Sequence, residues 1–416
     1  MRMHPALALS IGFSVLYLLL FSYARSTCWR DPTSKFYRQD RAHTPAYSTY
    51  RVKQGVQFAD TWSTQEATPN LASGQPKLCV GVASVSRNGT SYLKATLGSM
   101  QQGLSPAERE SLYFVALLAH VDQKKHPDHG QAWLANMVDK LPSYDQDPAR
   151  KAVAEDMEAK GVSHWIKSKF DYSFVLDECK RTGAPYILMS EDDVVFLDGW
   201  YHRTLKALGG VEEKSKKANE DWLYLRLFYY EGLRGFNADY WRKYARTVFF
   251  VECAVISVLI ILQRFVPGGP RFVTRWTALL TVGVYVPLLI VLAIVAGGNC
   301  VAPQPRGLQV IADNICCGQG LVFPSSVVDP LLTAFEGARW AQTPTDTFIE
   351  DHAAATGTLR WVLTPVVMQH VGGLSSYGEP GIVPMSPSDT WNHAFELNNP
   401  DDLAKEHFNA LELGVS

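Results

Sequence analysis

Three adjacent carboxylates, Glu191-Asp192-Asp193, follow the short apolar stretch Tyr186-Ile-Leu-Met189. Like charges packed side by side repel, so the arrangement is costly unless water or a cation neutralises it. Carboxylate oxygens are hard ligands that suit Mn2+ or Mg2+. Such an ion can bridge a diphosphate and stabilise charge on a leaving nucleoside diphosphate. By composition alone an ordinary acidic loop accounts for the same residues. The apolar flank Val194-Val-Phe196 on the far side favours acids set into a packed site. His370 lies in Gln369-His-Val-Gly-Gly373, where glycines would let an imidazole approach a metal or phosphate closely. A lone histidine is more often structural. Thr343-Pro-Thr-Asp346 reads as a helix start, with Asp346, Glu350 and Asp351 in its first turns. These acids either complement the helix dipole or supply the general base that deprotonates an attacking hydroxyl. Arg87, in the polar loop Ser86-Arg-Asn-Gly89, is either a contact to a base or phosphate or a solvated surface arginine.

The elements that must hold these groups alternate. Residues 78–85, Leu-Cys-Val-Gly-Val-Ala-Ser-Val, read as a buried strand of the parallel type. A helix begins near Thr90, with Leu93, Leu97 and Met100 at helical spacing. Residues 112–119 predict a second buried strand, a helix follows from about Asp156, and 186–189 predict a third strand. Strand patterns return at 222–230, 320–323 and 361–371. Alternating strands and helices predict a mostly parallel α/β sheet, and ligands of such sheets bind at the carboxyl ends of the strands.

Three apolar runs punctuate this pattern, at 6–22, 247–262 and 276–296. The first is near the lower length for a helix across roughly 30 Å of hydrocarbon, and we read it as an uncleaved anchor rather than a signal peptide. The second and third, joined by the turn Pro267-Gly-Gly-Pro270, read as a transmembrane hairpin; the competing reading is a buried helical hairpin. Arg264, Arg271 and Arg275 in the short connection place it in the cytosol by the positive-inside rule, which leaves both flanks lumenal. Arg25, Arg30, Arg242, Lys243 and Arg246 dilute that bias. Glu252 inside the second run is read as interfacial. The expected organisation is a cytosolic tip and anchor at 1–24, a polar stem at 25–76, one α/β domain split into 77–246 and 298–416, and the hairpin at 247–297 between its halves.

The 416 residues carry a net charge of −2 with no basic tract, which argues against a nucleic-acid partner. Of seven cysteines, Cys253 lies in an apolar run. The other six, Cys28, Cys79, Cys179, Cys300, Cys316 and Cys317, could pair in an oxidising lumen, with the pairs unassigned. Their spacing is not that of a zinc site. Asn88-Gly-Thr90 is a glycosylation sequon, in a loop where a bulky glycan would crowd a bound nucleotide.

Val85-Ser-Arg-Asn-Gly-Thr-Ser-Tyr-Leu-Lys-Ala-Thr-Leu-Gly-Ser99 resembles the first strand, loop and helix of a group of GT-A glycosyltransferases. That group includes N-glycan N-acetylglucosaminyltransferase IV and the post-GPI-attachment GalNAc transferase family. Phe170-Asp-Tyr172, Gly183-Ala-Pro-Tyr-Ile-Leu-Met-Ser-Glu-Asp-Asp193 and Gly199-Trp200 resemble the metal-motif region of the latter. Gln369-His-Val-Gly-Gly-Leu-Ser-Ser376 is similar to the C-terminal strand of both. The resemblance covers most of 78–246 and 298–376, and its most specific feature is the hairpin inserted within a GT-A domain.

The resemblance implies UDP-GalNAc as donor, Mn2+ as metal, the Golgi as location, and inverting transfer to the first mannose of a GPI glycan. It implies that Asp193 ligates the metal, that Glu191 and Asp192 help to hold metal and ribose, and that His370 sits at the diphosphate and metal position. Asp346 or Asp351 would be the base, with Glu350-Asp351 resembling the acid pair of other inverting GT-A enzymes. Two alternatives stand beside it. An N-glycan N-acetylglucosaminyltransferase would need no internal hairpin. A non-catalytic membrane adaptor or glycan binder would need no intact acids.

Overall fold

The computed structural model describes residues 4–63, 75–236, 238–311, 317–373 and 390–414. Contacts divide the chain into two units, one formed by 1–43 with 231–304 and the other by 44–230 with 305–416.

Among the described residues the larger unit has nine strands. These are β1 (Leu78–Ser84), β2 (Leu112–Leu118), β3 (Tyr186–Ser190), β4 (Val194–Phe196), β5 (Trp222–Arg226), β6 (Gly307–Val310), β7 (Gly320–Pro324), β8 (Leu359–Thr364) and β9 (Met368–His370). Seven form the central sheet in the order β2-β1-β3-β7-β5-β8-β6. β2, β1, β3, β5 and β8 run in one direction, because β1 pairs in parallel with β2 and β3, and β7 reverses twice between β3 and β5. β6 and β7 oppose them. β1, β2, β3 and β5 are largely apolar and buried, as strands covered by helices on both faces must be. One face packs Leu188, Val80 and Phe114 with the helix Leu93–Gln101, and the other packs Ile187, Met189 and Phe323 with the helix His164–Lys180. A disulfide, Cys79–Cys179, ties β1 to the latter helix.

The structure departs from the sequence reading at three places. The helix expected from about Asp156 is two helices, Pro148–Lys160 and His164–Lys180. Asp147 caps the first, Pro148 opens it, and Gly161 ends it at φ +56°. The strand expected at 361–371 is split. Pro365 follows a cis bond after Thr364, and the chain leaves the central sheet for a separate ribbon in which β9 pairs antiparallel with β4. The stretch read as stem contains a helix, Tyr47–Thr61, whose Ser48, Val52, Gly55 and Ala59 are buried. A Cβ on Gly98 would sit 2.0 Å from the Gly55 carbonyl oxygen, so the two helices cross backbone to backbone. Small residues carry little apolar signal, which is why this helix reads as linker.

Among its described residues the smaller unit contains three segments long and apolar enough to cross a membrane: Pro5–Arg30, Glu231–Phe265 and Arg275–Ala296. The first and third pack together, with the Phe13 ring stacked 4.1 Å from Tyr285 and Ser10 Oγ 2.6 Å from the Tyr285 hydroxyl. The third segment passes through a π-turn at Thr281–Tyr285, just ahead of Pro287. A proline lacks the amide that an α-turn requires, and the wider turn accommodates it.

Candidate active site

The site begins where β3 runs out. Glu191 keeps one more sheet bond, from its amide to the Gln319 carbonyl (3.0 Å). The chain then turns through Asp192 and Asp193 into β4. Thr96, on the helix Leu93–Gln101, donates from its hydroxyl to the carbonyls of Asp192 (2.6 Å) and Val194 (2.8 Å) and so fixes that turn. β4 lies against β9 with Val194 opposite His370, and the Val371 amide donates to the Asp193 carbonyl (2.9 Å). Two segments far apart in sequence thereby place His370 Nε2 3.2 Å from Asp193 Oδ2 and 3.9 Å from Glu191 Oε2. One ligand atom from each of Glu191, Asp193 and His370 falls within a common 4.8 Å.

Electrostatics follow from that packing. Burial opposes charge on His370, but Asp193 outweighs it and lifts the imidazole pKa to about 9. Burial likewise opposes the Asp193 carboxylate, and His370 with Arg87 holds it below the usual carboxylate range. Glu191 moves the other way, raised by burial and by the neighbouring Asp193. Asp193 Oδ1 and His370 Nδ1 are buried and have no hydrogen-bond partner among the described residues. A buried polar atom without a partner costs about 1–3 kcal/mol, so these atoms fit a site completed by a ligand. The donor set of two carboxylates and an imidazole suits a hard or borderline divalent cation.

Asp192 points elsewhere. Arg87 grips it with two bonds (Nη1 to Oδ2 3.0 Å, Nη2 to Oδ1 2.6 Å) and reaches Asp193 Oδ2 at 3.3 Å. Burial works against the Arg87 cation, and the two aspartates overcome it and raise its pKa above the ordinary value. Arg87 owes its position to a two-residue turn, closed by hydrogen bonds in both directions between Arg87 and Thr90 (3.0 Å each). Asn88 (φ +51°) and Gly89 (φ +79°) take the left-handed conformations that an Asn-Gly type I′ turn needs. The sequon asparagine is exposed at its tip.

The carboxylates near the helix Thr345–Thr356 separate into three environments. Asp346 Oδ2 accepts from the Cys317 amide (3.0 Å), and a Cβ on Gly318 would lie 3.6 Å from both Asp346 Cβ and Glu191 Oε1. Asp346 thus borders the acidic cluster. Glu350 is buried in its own network, bonded to Arg226 (2.7 Å), Arg360 (2.9 Å) and the Tyr224 hydroxyl. Asp351 is exposed. The structure therefore brings Arg87, Glu191, Asp192, Asp193, His370 and Asp346 together, and leaves Glu350 and Asp351 outside that group.

Other contributors were not foreseen. Ser84, the polar end of β1, donates to Asp192 and lies 3.0 Å from His126 Nε2. Burial pushes His126 down to about 4, so its ring is neutral. The Tyr172 hydroxyl and Gln319 Oε1 are buried and unpartnered among the described residues, and Glu191, Arg226 and Asp346 are among the charges that act on Tyr172. Gly372 presses on Asp193: a Cβ there would sit 2.3 Å from Asp193 Oδ2. The Ser that ends an otherwise apolar β1 and the glycines after His370 are the only signals of these in the sequence.

Carboxylates and an imidazole gathered at the carboxyl ends of parallel strands, in a chain with membrane-length apolar helices, define a membrane-type α/β protein with a candidate cation site. Residues 78–369 match the family model of GPI-N-acetylgalactosamine transferase PGAP4, and the chain belongs to that family. Over 161 residues it is 29% identical to alpha-1,3-mannosyl-glycoprotein 4-beta-N-acetylglucosaminyltransferase B of Danio rerio, a match covering 36% of this chain and 28% of that protein. The chain thus aligns with less than a third of that relative's length.

Proposed function

We propose that this protein is a metal-dependent, inverting glycosyltransferase of GT-A type that transfers GalNAc from UDP-GalNAc to the mannose core of GPI anchors. The observation that carries the reading is the Glu191, Asp193 and His370 cluster with its unpartnered buried atoms, in a chain of the GPI-N-acetylgalactosamine transferase family. Those three residues would hold Mn2+ or Mg2+, which when bound supplies charge stabilisation for the departing diphosphate. Arg87 and Asp192 form a rigid pair beside them. Arg87 offers a cation to the nucleotide diphosphate, and Asp192 orients that cation while standing near the ribose. Asp346 is the base: it borders Glu191, and its carboxylate is held by the backbone amides of Cys317 and Thr347 rather than locked in an ion pair. It would take the proton of the acceptor hydroxyl as the oxygen attacks the anomeric carbon and the bond to UDP breaks.

The Cys79–Cys179 disulfide supports an oxidising compartment, and we assign the catalytic unit to the Golgi lumen. The first apolar helix is the anchor, and the second and third are a hairpin inserted in the catalytic domain. Membrane attachment of this kind suits a lipid-borne acceptor, because it raises the effective concentration of enzyme and glycan without adding a contact at the sugar. The test is turnover of a panel of UDP-sugars by purified full-length protein with a GPI-glycan acceptor, with and without Mn2+, beside Asp193→Ala. Metal-dependent transfer from UDP-GalNAc that vanishes in the variant supports the reading. Transfer from UDP-GlcNAc to an N-glycan would replace it with the N-glycan alternative. No transfer or donor hydrolysis from folded protein would leave a binding protein.

A further inference from the structure

We propose that Cys28 and Cys300 form a further disulfide, which fastens the end of the first apolar helix to the segment that follows the third. Cys28 follows the last turn of the helix Pro5–Thr27 and is buried. Cys300 lies in the short helical turn Gly298–Val301, directly after the helix Val286–Ala296. Ala24, Cys28, Leu292 and Ala296 form one apolar cluster, and Cys300 packs against it with Phe21 and Phe36.

Asp31 draws the two cysteines to one place. Its amide donates to the Cys28 carbonyl (3.2 Å), and its carboxylate accepts from the amides of Asn299 and Cys300 (3.0 Å each). A Cβ on Gly297 would sit 2.5 Å from Asp31 Oδ2, so only glycine lets the third helix end this close. Ser34 and Lys35 bond the Val295 carbonyl from the same side. The seam is therefore anchored by backbone on both flanks of the cysteine pair. Both are unbonded thiols in the structure, set side by side in that cluster, and burial together with Cys28 raises the Cys300 thiol above its ordinary range.

Cysteines as buried small hydrophobes would explain the packing alone. The compartment decides otherwise. Cys79–Cys179 is already bonded, and two neighbouring thiols on the same side of the membrane meet the same oxidant. Joining two thiols requires a two-electron oxidant, and an enzyme-borne disulfide supplies it. One thiolate attacks that disulfide to form a mixed disulfide, and the second, losing its proton, displaces the catalyst. The cysteine pair is oxidised by two electrons and the catalyst leaves as a dithiol.

The proposal rests on the lumenal assignment made above and adds that both helix ends open into that lumen. Cys253, inside the second apolar helix, is the free-thiol reference. The experiment is alkylation of the full-length protein in intact membranes, followed by non-reducing digestion and mass spectrometry. A Cys28–Cys300 linked peptide is expected beside the Cys79–Cys179 peptide, with Cys253 alkylated. Cys28→Ser should leave Cys300 alkylated, and Cys28→Ser/Cys300→Ser should unfold roughly 5 °C lower. Alkylated Cys28 and Cys300 beside a bonded Cys79–Cys179 would overturn the proposal and leave the lumenal assignment standing. Alkylation of all four would overturn both.

Discussion

Replacing Gly372 by alanine asks whether the position of Asp193 matters for turnover. The added Cβ would sit 2.3 Å from Oδ2, 2.7 Å from Cγ and 2.8 Å from Cβ of Asp193, where ordinary contact begins at 3.4 Å. Something must move by about 1 Å. The backbone cannot yield easily, because the Val371 amide is bonded to the Asp193 carbonyl (2.9 Å) and Val194 is paired with His370. The side chain of Asp193 is therefore the part displaced. Metal ligands tolerate roughly 0.2 Å, and a misplacement of about 1 Å in an active site costs about 100-fold in rate. We expect Gly372→Ala to lower kcat/KM for UDP-GalNAc roughly 100-fold and to raise the Mn2+ concentration needed for half-maximal rate. Initial rates across a Mn2+ titration, with thermal unfolding as the fold control, measure both. Gly209→Ala is the matched control, since a methyl at that position would meet no atom within 4 Å. A Gly372→Ala protein with wild-type unfolding and kcat/KM within about threefold would refute the cation site at Asp193.

Asp346→Asn should lower kcat roughly 10²–10⁴-fold with the fold intact, as loss of a general base does, while Asp351→Asn should leave it near wild type; the reverse result would exchange their roles. Glu350→Gln should act on stability. It leaves Arg226 and Arg360 buried without their shared carboxylate, a loss of about 3–5 kcal/mol readable in the unfolding midpoint. His407 is buried between Asp198 (2.7 Å) and Glu108 (3.1 Å), with the His202 ring stacked on it. Burial opposes its charge, but those carboxylates raise its pKa from 6.5 to about 9. A raised pKa means that the folded state binds the proton more tightly. The stabilisation, about 3 kcal/mol, is full below pH 6.5 and fades as pH rises to about 9. Unfolding midpoints of wild type and His407→Gln across that window should converge at the alkaline end.

What the sequence discloses depends on whether an interaction is local. Glu191-Asp192-Asp193 is legible because three acids follow an apolar strand within a few residues, and the Asn-Gly pair beside Arg87 specifies its own turn. Pro365 is equally local, and it divides the late strand so that His370 belongs to a ribbon with β4 rather than to the central sheet. Ser84, Thr96 and His126 act on Asp192 or its flanks only after β1, its following helix and the β2 loop have packed together. No pattern in their own segments announces that. The helix Tyr47–Thr61 is hidden for a related reason: its buried face sets Ser48, Gly55, Ala59 and the charged Arg51 beside Tyr47 and Val52, so close approach and polar bonds carry much of what apolar area would otherwise signal.

Glu350 and Asp351 mark the limit most clearly. They are neighbours on one helix, equally acidic, and turned about 100° from each other. Within that helix Glu350 falls beside the buried Ile349 and Ala353, yet nothing there says how its charge is met. The answer comes from two arginines on adjacent parallel strands, Arg226 on β5 and Arg360 on β8, which meet only because the chain returns to the same sheet after its apolar helices. Two cations converging on one position can be buried only if a carboxylate meets them there, and Glu350 is the residue whose place on the helix faces that position. With Glu350 committed to structure and Asp351 turned to solvent, Asp346 is left as the carboxylate beside Glu191. The ranking of the three acids is thus a property of β5 and β8 pairing, which is why Glu350→Gln should show itself in stability and Asp346→Asn in turnover.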